Sequence, residues 1–479
     1  MRWQQYFRLN LLLIFHLFID ISEASSNAST DIIQPKFTSR NFDYKGVALG
    51  GWLVLEPYIT PSLFLSFNTS KNASESDIPV DEYHYCKKLG YDEAKKRLTK
   101  HWETWYTEED FAKIKDYGLN MVRIPIGYWA FHKMSGDPYV SGAQRYLDKA
   151  LIWAKKYDLK AWIDLHGVPG SQNGFDNSGL RDIGYPGWFN KTEHITLTEK
   201  VLHQIFSKYG NLNSSKEYED TILGIEIVNE PLGAKLSMHK LKSFYEKVYE
   251  DARATQVVNN TFVIHDAFEA IGYWNSFLTN DDKKNSTTDN YNVLIDHHHY
   301  QVFSVNSLNS SINDTLQSIK DYSSSIQTEM KHHPAVVGEW SAALTDCTPW
   351  LNGVGLGSRY EGTKPYTNEK IGSCSNINNW SSWDAKVRKN YRKFIEMQLY
   401  EYEKQTKGWI FWCFKSETSI EWDFLRLVDL NLMPQPLNNY TYIINGKDTD
   451  SGKKKSCSPG ASSGISLALA AYMLVFLCI

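Results

Sequence analysis

Apolar residues along this chain alternate between two patterns. Near-continuous apolar runs of strand length occur at Gly46–Trp52, Met121–Ile126, Lys160–His166, Ile222–Glu230, Phe262–Ala267, Val293–Tyr300, Ala335–Trp340 and Gly408–Lys415. Between them, stretches such as 144–157, 194–209, 239–254 and 386–405 repeat apolar positions at helical spacing. A run that is apolar on both faces suits a parallel strand covered by helices on each side. Eight such units are the number that closes a (β/α)8 barrel, so the predicted fold is α/β, a TIM barrel. A doubly wound open sheet is the structural alternative, because a linear pattern does not reveal closure. The chain exceeds the ~250 residues of a plain barrel. Long loops at the C-terminal face of the strands must carry the excess, with 57–85, 128–142, 167–192 and 341–384 as the candidates.

The ends break this pattern. Arg2 and Arg8 precede a short apolar run from Leu9 to Ile19, and Ser22-Glu-Ala24 offers small residues for cleavage, so residues 1–24 read as a secretory signal peptide. Residues 465–479 form an apolar tail preceded by the small, polar stretch 450–464, as in a GPI-attachment signal. The predicted domains are therefore the signal at 1–24, a catalytic barrel at 25–450 and an attachment signal at 451–479. Ser451 and Ser456 are the candidate attachment sites. A tail-anchored helix is the competing reading, although 15 apolar residues fall short of the ~20 needed to span a bilayer. N-x-[ST] sequons agree with secretion and mark surface positions at Asn27, Asn68, Asn72, Asn190, Asn213, Asn259, Asn285, Asn309, Asn313, Asn379 and Asn439. In an oxidising compartment, a Cys347–Cys374 bridge would tie down the Gly/Asn/Ser-rich insertion around it, while Cys413 reads as a buried free thiol. The pairing of Cys86 is left open.

Composition narrows the function. The 479 residues carry 51 Lys plus Arg against 55 Asp plus Glu, with no basic block, which argues against a nucleic-acid partner. Aromatic residues make up 14% of the chain, and flat rings suit sugar faces. The apolar runs finish in polar groups: Arg123, His166, Asn229-Glu230, Asp266, His298-x-Tyr300 and Glu339. Strand ends of a barrel converge on one rim, so these distant residues can meet in one pocket. Glu230 closes the fourth run and Glu339 the seventh. Two carboxylates across a pocket support glycoside hydrolysis, with retention at ~5–5.5 Å separation and inversion at ~6.5–9.5 Å. Metal binding is the rival use of these carboxylates and of His297-His298-His299. Neighbours on a strand point to opposite faces, however, so three consecutive histidines cannot chelate together, and no H-E-x-x-H is present. No G-x-S-x-G elbow points to a serine hydrolase. No metal or organic cofactor is implied.

At this point the residues resemble a known family. Leu49-Gly-Gly-Trp-Leu-Val-Leu-Glu-Pro57, Val122-Arg-Ile-Pro-Ile-Gly-Tyr-Trp-Ala-Phe131, the segment 163–177, Val228-Asn-Glu-Pro-Leu-Gly233, Asp296-His-His-His-Tyr-Gln-Val-Phe303 and Gly338-Glu-Trp-Ser-Ala-Ala-Leu-Thr-Asp-Cys347 look like the fungal exo-β-1,3-glucanases of glycoside hydrolase family five. The resemblance spans about 40–437. It implies a retaining enzyme with Glu230 as acid/base and Glu339 as nucleophile. It assigns Asn229 to the sugar 2-OH, Arg123 and Tyr300 to holding Glu339, and His166 and His298 to the subsite wall. Trp412 would lie under the non-reducing glucose, Phe175 with Phe303 would clamp the entrance, and Glu56, Asn177 and Asn352 would bind the terminal sugar. Arg123 is expected to lower the pKa of Glu339, while Glu230 must be protonated to act. The chain departs from the family in lacking a second bridge and in placing Leu356 where a basic residue is common. The implied partners are β-1,3-glucan and, through a GPI lipid, the membrane of the cell surface, for a monomer. Transglycosylation at the same site, endo or β-1,6 action, and a non-catalytic glucan-binding protein stay open.

Overall fold

The structure is a computed structural model that describes residues 41–68, 74–210, 218, 220–255, 260–279, 292–363, 365 and 369–450. The expected signal and attachment segments lie outside the described residues, and with them Asn27, Ser451 and Ser456; so do Asn72, Asn213, Asn259 and Asn285.

Eight parallel strands form a closed barrel in sequence order. They are β1 (Tyr44–Ala48), β2 (Met121–Gly127), β3 (Lys160–Gly167), β4 (Ile222–Glu226), β5 (Thr261–His265), β6 (Val293–His298), β7 (Ala335–Trp340) and β8 (Gly408–Phe411). Closure is made by β1 against β8, with Tyr44 opposite Gly408 and Gly46 opposite Ile410, which rules out the open sheet. β2 and β7 are buried along their whole length, as strands covered on both faces must be. The outer layer contains α1 (Glu82–Leu89), α2 (Tyr91–Thr104), α3 (Glu108–Asp116), α4 (Gln144–Lys156), α5 (Thr192–Ile205), α6 (Met238–Ala254), α7 (Ile312–Glu329) and α8 (Ala385–Gln405). On α4 the buried residues are Tyr146, Leu147, Ala150, Leu151 and Ala154, one stripe at helical spacing. Side chains start the later helices: Ser311 caps α7 and Asp384 caps α8, whose Val387 N–H lies 2.8 Å from the Asp384 carboxylate.

Five strands end before their predicted runs do: β5 at His265, β6 at His298 and β8 at Phe411, and, with most consequence for the site, β1 and β4. β1 ends at Ala48, before the Leu49–Trp52 part of its run, because the chain turns at Gly51 with φ +65°. β4 stops at Glu226, so Glu230 stands four residues beyond the strand in a loop and does not close it. The 57–85 stretch is also not all loop, since it holds a short helix at Pro61–Leu65 and the start of α1.

Cys347 and Cys374 form a disulfide inside the long 341–384 insertion, and Cys86 and Cys413 are buried free thiols. The sequon asparagines within the described residues, Asn68, Asn190, Asn309, Asn313, Asn379 and Asn439, are all exposed. No helix among the described residues is long and apolar enough to cross a membrane.

Candidate active site

Arg123 occupies the centre of the barrel. It is fully buried, and its guanidinium gives Nη1 to Glu339 at 2.6 Å, Nε to Glu226 at 2.8 Å and Nη2 to the Asn229 side-chain oxygen Oδ1 at 2.8 Å. Asp164 lies 3.2 Å from the same Nη2. A buried charge survives only when it is paired and its hydrogen bonds are satisfied, and here three strands and one loop supply the partners. β7 brings Glu339 to this point, and the Tyr300 hydroxyl donates to its other oxygen at 2.8 Å. The Gly338 beside it is forced, because a Cβ there would overlap the Asp296 carboxylate.

Glu230 reaches the pocket by a different route. Its backbone has φ +46°, a conformation that non-glycine residues adopt at a cost of about 1–3 kcal/mol. Gln172 holds the loop there: its amide donates to the carbonyls of His166 and Asn229, both at 2.8 Å, and its own carbonyl accepts the Leu232 N–H at 3.1 Å. Gln172 escaped the sequence reading, since a loop glutamine carries no chemical signal. With the loop fixed, Asn177 Nδ2 donates to Glu230 Oε2 at 2.8 Å.

His298, the last residue of β6, joins the two carboxylates. Its Nδ1 lies 2.8 Å from Glu230 Oε1 and 3.3 Å from Glu339 Oε2. These are two sides of a triangle, so the two oxygens lie no further apart than the sum of those distances, and both carboxylates can face one sugar ring. The alternation along β6 separates the three histidines, with His298 at the pocket and His297 bonded to Asp266 and Glu329 behind it.

The proton balance runs against the expected directions. Burial raises the Glu339 pKa above the ordinary carboxylate value. His298 and Arg123 pull it back, and the charge of Glu230 pushes it up again. Burial also acts upward on Glu230, yet this carboxyl finishes below the ordinary value because His298 and Asn177 donate to it. His298 itself is carried well above an ordinary histidine, since Glu339 and Asp296 outweigh its burial. The expectation for Glu339 counted Arg123 and missed burial and the shared histidine. Glu230, His298 and Glu339 form one interacting unit for titration.

The pocket above these groups has a volume of about 170 Å³, and its lining comes from the loops after every strand except β2. Trp412 forms one wall, stacked on His166 with centroids 5.3 Å apart and planes 8° from parallel, its indole N–H held by the Tyr58 hydroxyl at 2.6 Å. His166 is oriented by Asp164 at 2.7 Å. Phe175, Asn177, Phe303 and Glu56 all line the cavity. Burial, followed by the charges of Asp176, Glu339 and Glu230, pushes the Glu56 pKa well up. Asn352 is also in the lining, but its amide is engaged within the insertion: the carbonyl accepts Arg359 Nη1 at 2.6 Å and the NH2 faces Asp346 at 3.1 Å. Arg359, Arg181, Phe268, Trp422 and Tyr58 line the pocket without having been singled out in the sequence. They sit in loops, where no periodicity marks them. Among the described residues, Nδ2 of Asn229 is a buried amide nitrogen without a hydrogen-bond partner.

Among the described residues, two trios, Glu226–Asp296–His298 and Glu230–His265–His298, bring potential metal ligands within 4.8 Å of one another. In the first, Glu226 is already engaged by Arg123, so a cation there would sit beside a guanidinium. The second shares its carboxylate and His298 with the pair described above. The arrangement as a whole suits general acid and nucleophilic chemistry on a small, ring-shaped polar ligand.

Known proteins resemble this chain in sequence and in fold. Residues 86–396 match the family model described as cellulase, glycosyl hydrolase family 5. The chain is 52% identical to glucan 1,3-beta-glucosidase 2 of Candida albicans over 99% of both chains. It is 53% identical to the sporulation-specific glucan 1,3-beta-glucosidase of Saccharomyces cerevisiae, covering 83% of this chain and 86% of that one. Among solved structures, the rutinosidase from Aspergillus niger superposes with a TM-score of 0.61 at 20% identity, covering 83% of this chain and 99% of that one, a likeness of fold.

Proposed function

The chain belongs to glycosyl hydrolase family 5, and from that premise we propose that it is a retaining exo-β-1,3-glucanase, removing terminal glucose from the non-reducing ends of β-1,3-glucan during cell-wall remodelling. The observation that carries the reading is His298 Nδ1 within 3.3 Å of both carboxylates, with Arg123 and Tyr300 on Glu339. Relatives named glucan 1,3-beta-glucosidase, about half identical over most of the chain, supply the substrate class.

In this mechanism Glu339 attacks the anomeric carbon of the terminal glucose while Glu230 gives its proton to the departing glycosidic oxygen. The proton reaches Glu230 by moving from His298 along their 2.8 Å hydrogen bond, and Arg123 and Tyr300 stabilise the charge on Glu339. Once the glycosyl–enzyme bond has formed and Glu339 is neutral, Glu230 takes a proton from a water whose oxygen attacks the anomeric carbon and breaks its bond to Glu339; glucose leaves with its configuration retained, Glu339 regains its charge, and Glu230 returns the proton to His298. Asn229 Nδ2 holds the sugar 2-OH, His166 and Trp412 form the floor and wall, Glu56 and Asn177 bind the terminal sugar, and Phe175 and Phe303 flank the entrance. Asn352 contributes by fixing Arg359 at the pocket.

The remaining readings belong to the same proposal. Residues 1–24 direct secretion, Ser451 or Ser456 receives a GPI lipid, and the exposed sequons carry glycans, which places a monomeric barrel of residues 25–450 at the cell surface. Digestion of laminarin-type β-1,3-glucan and of β-1,6-glucan, followed by NMR, tests the activity. Free glucose appearing first as the β-anomer from the β-1,3 polymer alone is expected. Initial α-glucose, or oligosaccharides as first products, would overturn it. Release of the protein from membranes by a phosphatidylinositol-specific phospholipase tests the anchor.

A further inference from the structure

Behind the pocket wall lies a buried ionic cluster that the mechanism does not use. His297 points away from the pocket, with Nδ1 2.7 Å from Asp266 Oδ2 and Nε2 3.0 Å from Glu329 Oε1. Both ring nitrogens face carboxylates, so the ring is a doubly protonated imidazolium. Burial alone would lower its pKa, but Glu329 and Asp266 carry it up to about 10. His297 and Glu329 are fully or almost fully buried, and Asp266 is nearly so.

Each carboxylate also grips the loop that follows β5. Asp266 Oδ1 accepts the Phe268 N–H at 2.7 Å, and Glu329 accepts the Gly272 N–H. At the start of this loop Ala267 and Phe268 have φ of +61° and +58°, two successive non-glycine residues in the left-handed region. Such backbone persists only where its surroundings determine it. Phe268 lines the pocket beside Glu230 and Tyr300. Its ring meets His265 edge-on at 4.9 Å, and His265 in turn meets His298 at 4.3 Å. Ala267 O accepts the Gly233 N–H at 3.2 Å, which ties the same turn to the loop carrying Glu230.

We infer that His297 is a positioning residue: with Asp266 and Glu329 it forms a charged brace that holds the Ala267–Phe268 turn, and so sets the Phe268 wall against which the glucan docks. The inference rests on the glucanase reading for its substrate, while its geometric part stands apart from it. A glutamine at 297 can satisfy one carboxylate and not both, and it brings no charge to either.

The test compares wild type, His297→Gln, Phe268→Ala and the double variant on laminari-oligosaccharides. His297→Gln and Phe268→Ala should each raise KM about tenfold with kcat within threefold, and the double variant should be no worse than Phe268→Ala. A His297→Gln enzyme with a lower melting temperature but unchanged KM, or a double variant whose losses multiply, overturns the brace. If His297→Gln does not fold, Glu329→Gln decides in its place: a KM raised about threefold supports the brace and an unchanged KM overturns it. A wild type inactive on β-1,3-glucan sinks the proposed activity instead. The crystal structure of whichever of the two brace variants folds then still decides the brace, through displacement or retention of the Phe268 turn.

Discussion

Replacing Tyr300 with phenylalanine removes one oxygen and little else. The hydroxyl donates to Glu339 at 2.8 Å, whereas the ring contacts with Phe303 at 5.5 Å and Trp422 at 5.2 Å can persist in the variant. A hydrogen bond to a charged group contributes about 1.5–3 kcal/mol, which corresponds to a factor of roughly 10 to 150 in rate. The direction depends on when Glu339 is charged. Before attack the bond stabilises the ground-state anion, so its loss does not slow glycosyl transfer to the enzyme. In the glycosyl–enzyme the charge is gone, and it returns as water displaces the sugar, so the bond strengthens towards that transition state. The second step therefore bears the loss. With an aryl β-glucoside that has a good leaving group, stopped-flow absorbance should show a burst equal to the enzyme concentration. The slow steady state should have kcat lowered ~10- to 150-fold and KM lowered alongside it. A variant with kcat within threefold of wild type and no burst refutes the argument. So does a raised KM at unchanged kcat, which would make Tyr300 a binding group alone.

Further outcomes follow from the same contacts. Glu339→Gln should abolish covalent trapping by a 2-deoxy-2-fluoro glucoside, and Glu230→Gln should slow substrates with poor leaving groups far more than activated ones; mass spectrometry and a leaving-group series check these, and full activity in either variant contradicts the roles. Because Glu339 must be ionised to attack while the proton passed to Glu230 is held on His298, the pH–rate profile should rise as pH passes the raised value of Glu339 and fall only as His298 loses its proton, well above an ordinary histidine; a profile already falling below about pH 6 would contradict it. Glu421 is a buried carboxyl raised by burial from 4.5 to about 7, so the folded state binds its proton more tightly than the unfolded chain. Stability should therefore fall between pH 4.5 and 7, by about 3 kcal/mol in all, and Glu421→Gln should flatten that fall in thermal melts; an equal slope in both proteins counts against it. Opening the Cys347–Cys374 bridge by Cys374→Ser frees a loop with a sequence separation of 27, for which loop entropy gives a loss of about 3–4 kcal/mol in denaturant unfolding; an unchanged midpoint would show that the insertion is held by its other contacts.

The eight apolar runs were legible because strand and helix periods are written in near neighbours, two to four residues apart. The residues at their ends, from Arg123 to Glu339, were legible for a second reason: a barrel, once inferred, gathers strand ends on one rim. The resemblance of the segments 228–233 and 338–347 to a known family then suggested which two carboxylates react. Tertiary structure decided the rest. Glu230 meets Glu339 through a left-handed loop turn held by Gln172, and no local pattern announces that turn. The sequence separation of 216 between Arg123 and Glu339 closes up only when the barrel does. The protonation of the two carboxylates ran against the motif-based expectation because burial and a shared histidine belong to the assembled site. Asn352 turned towards Arg359, and His297 behind the pocket became part of its frame, for the same reason: hydrogen bonds and desolvation act across space, whereas sequence periodicity records only which face of its own element a residue occupies.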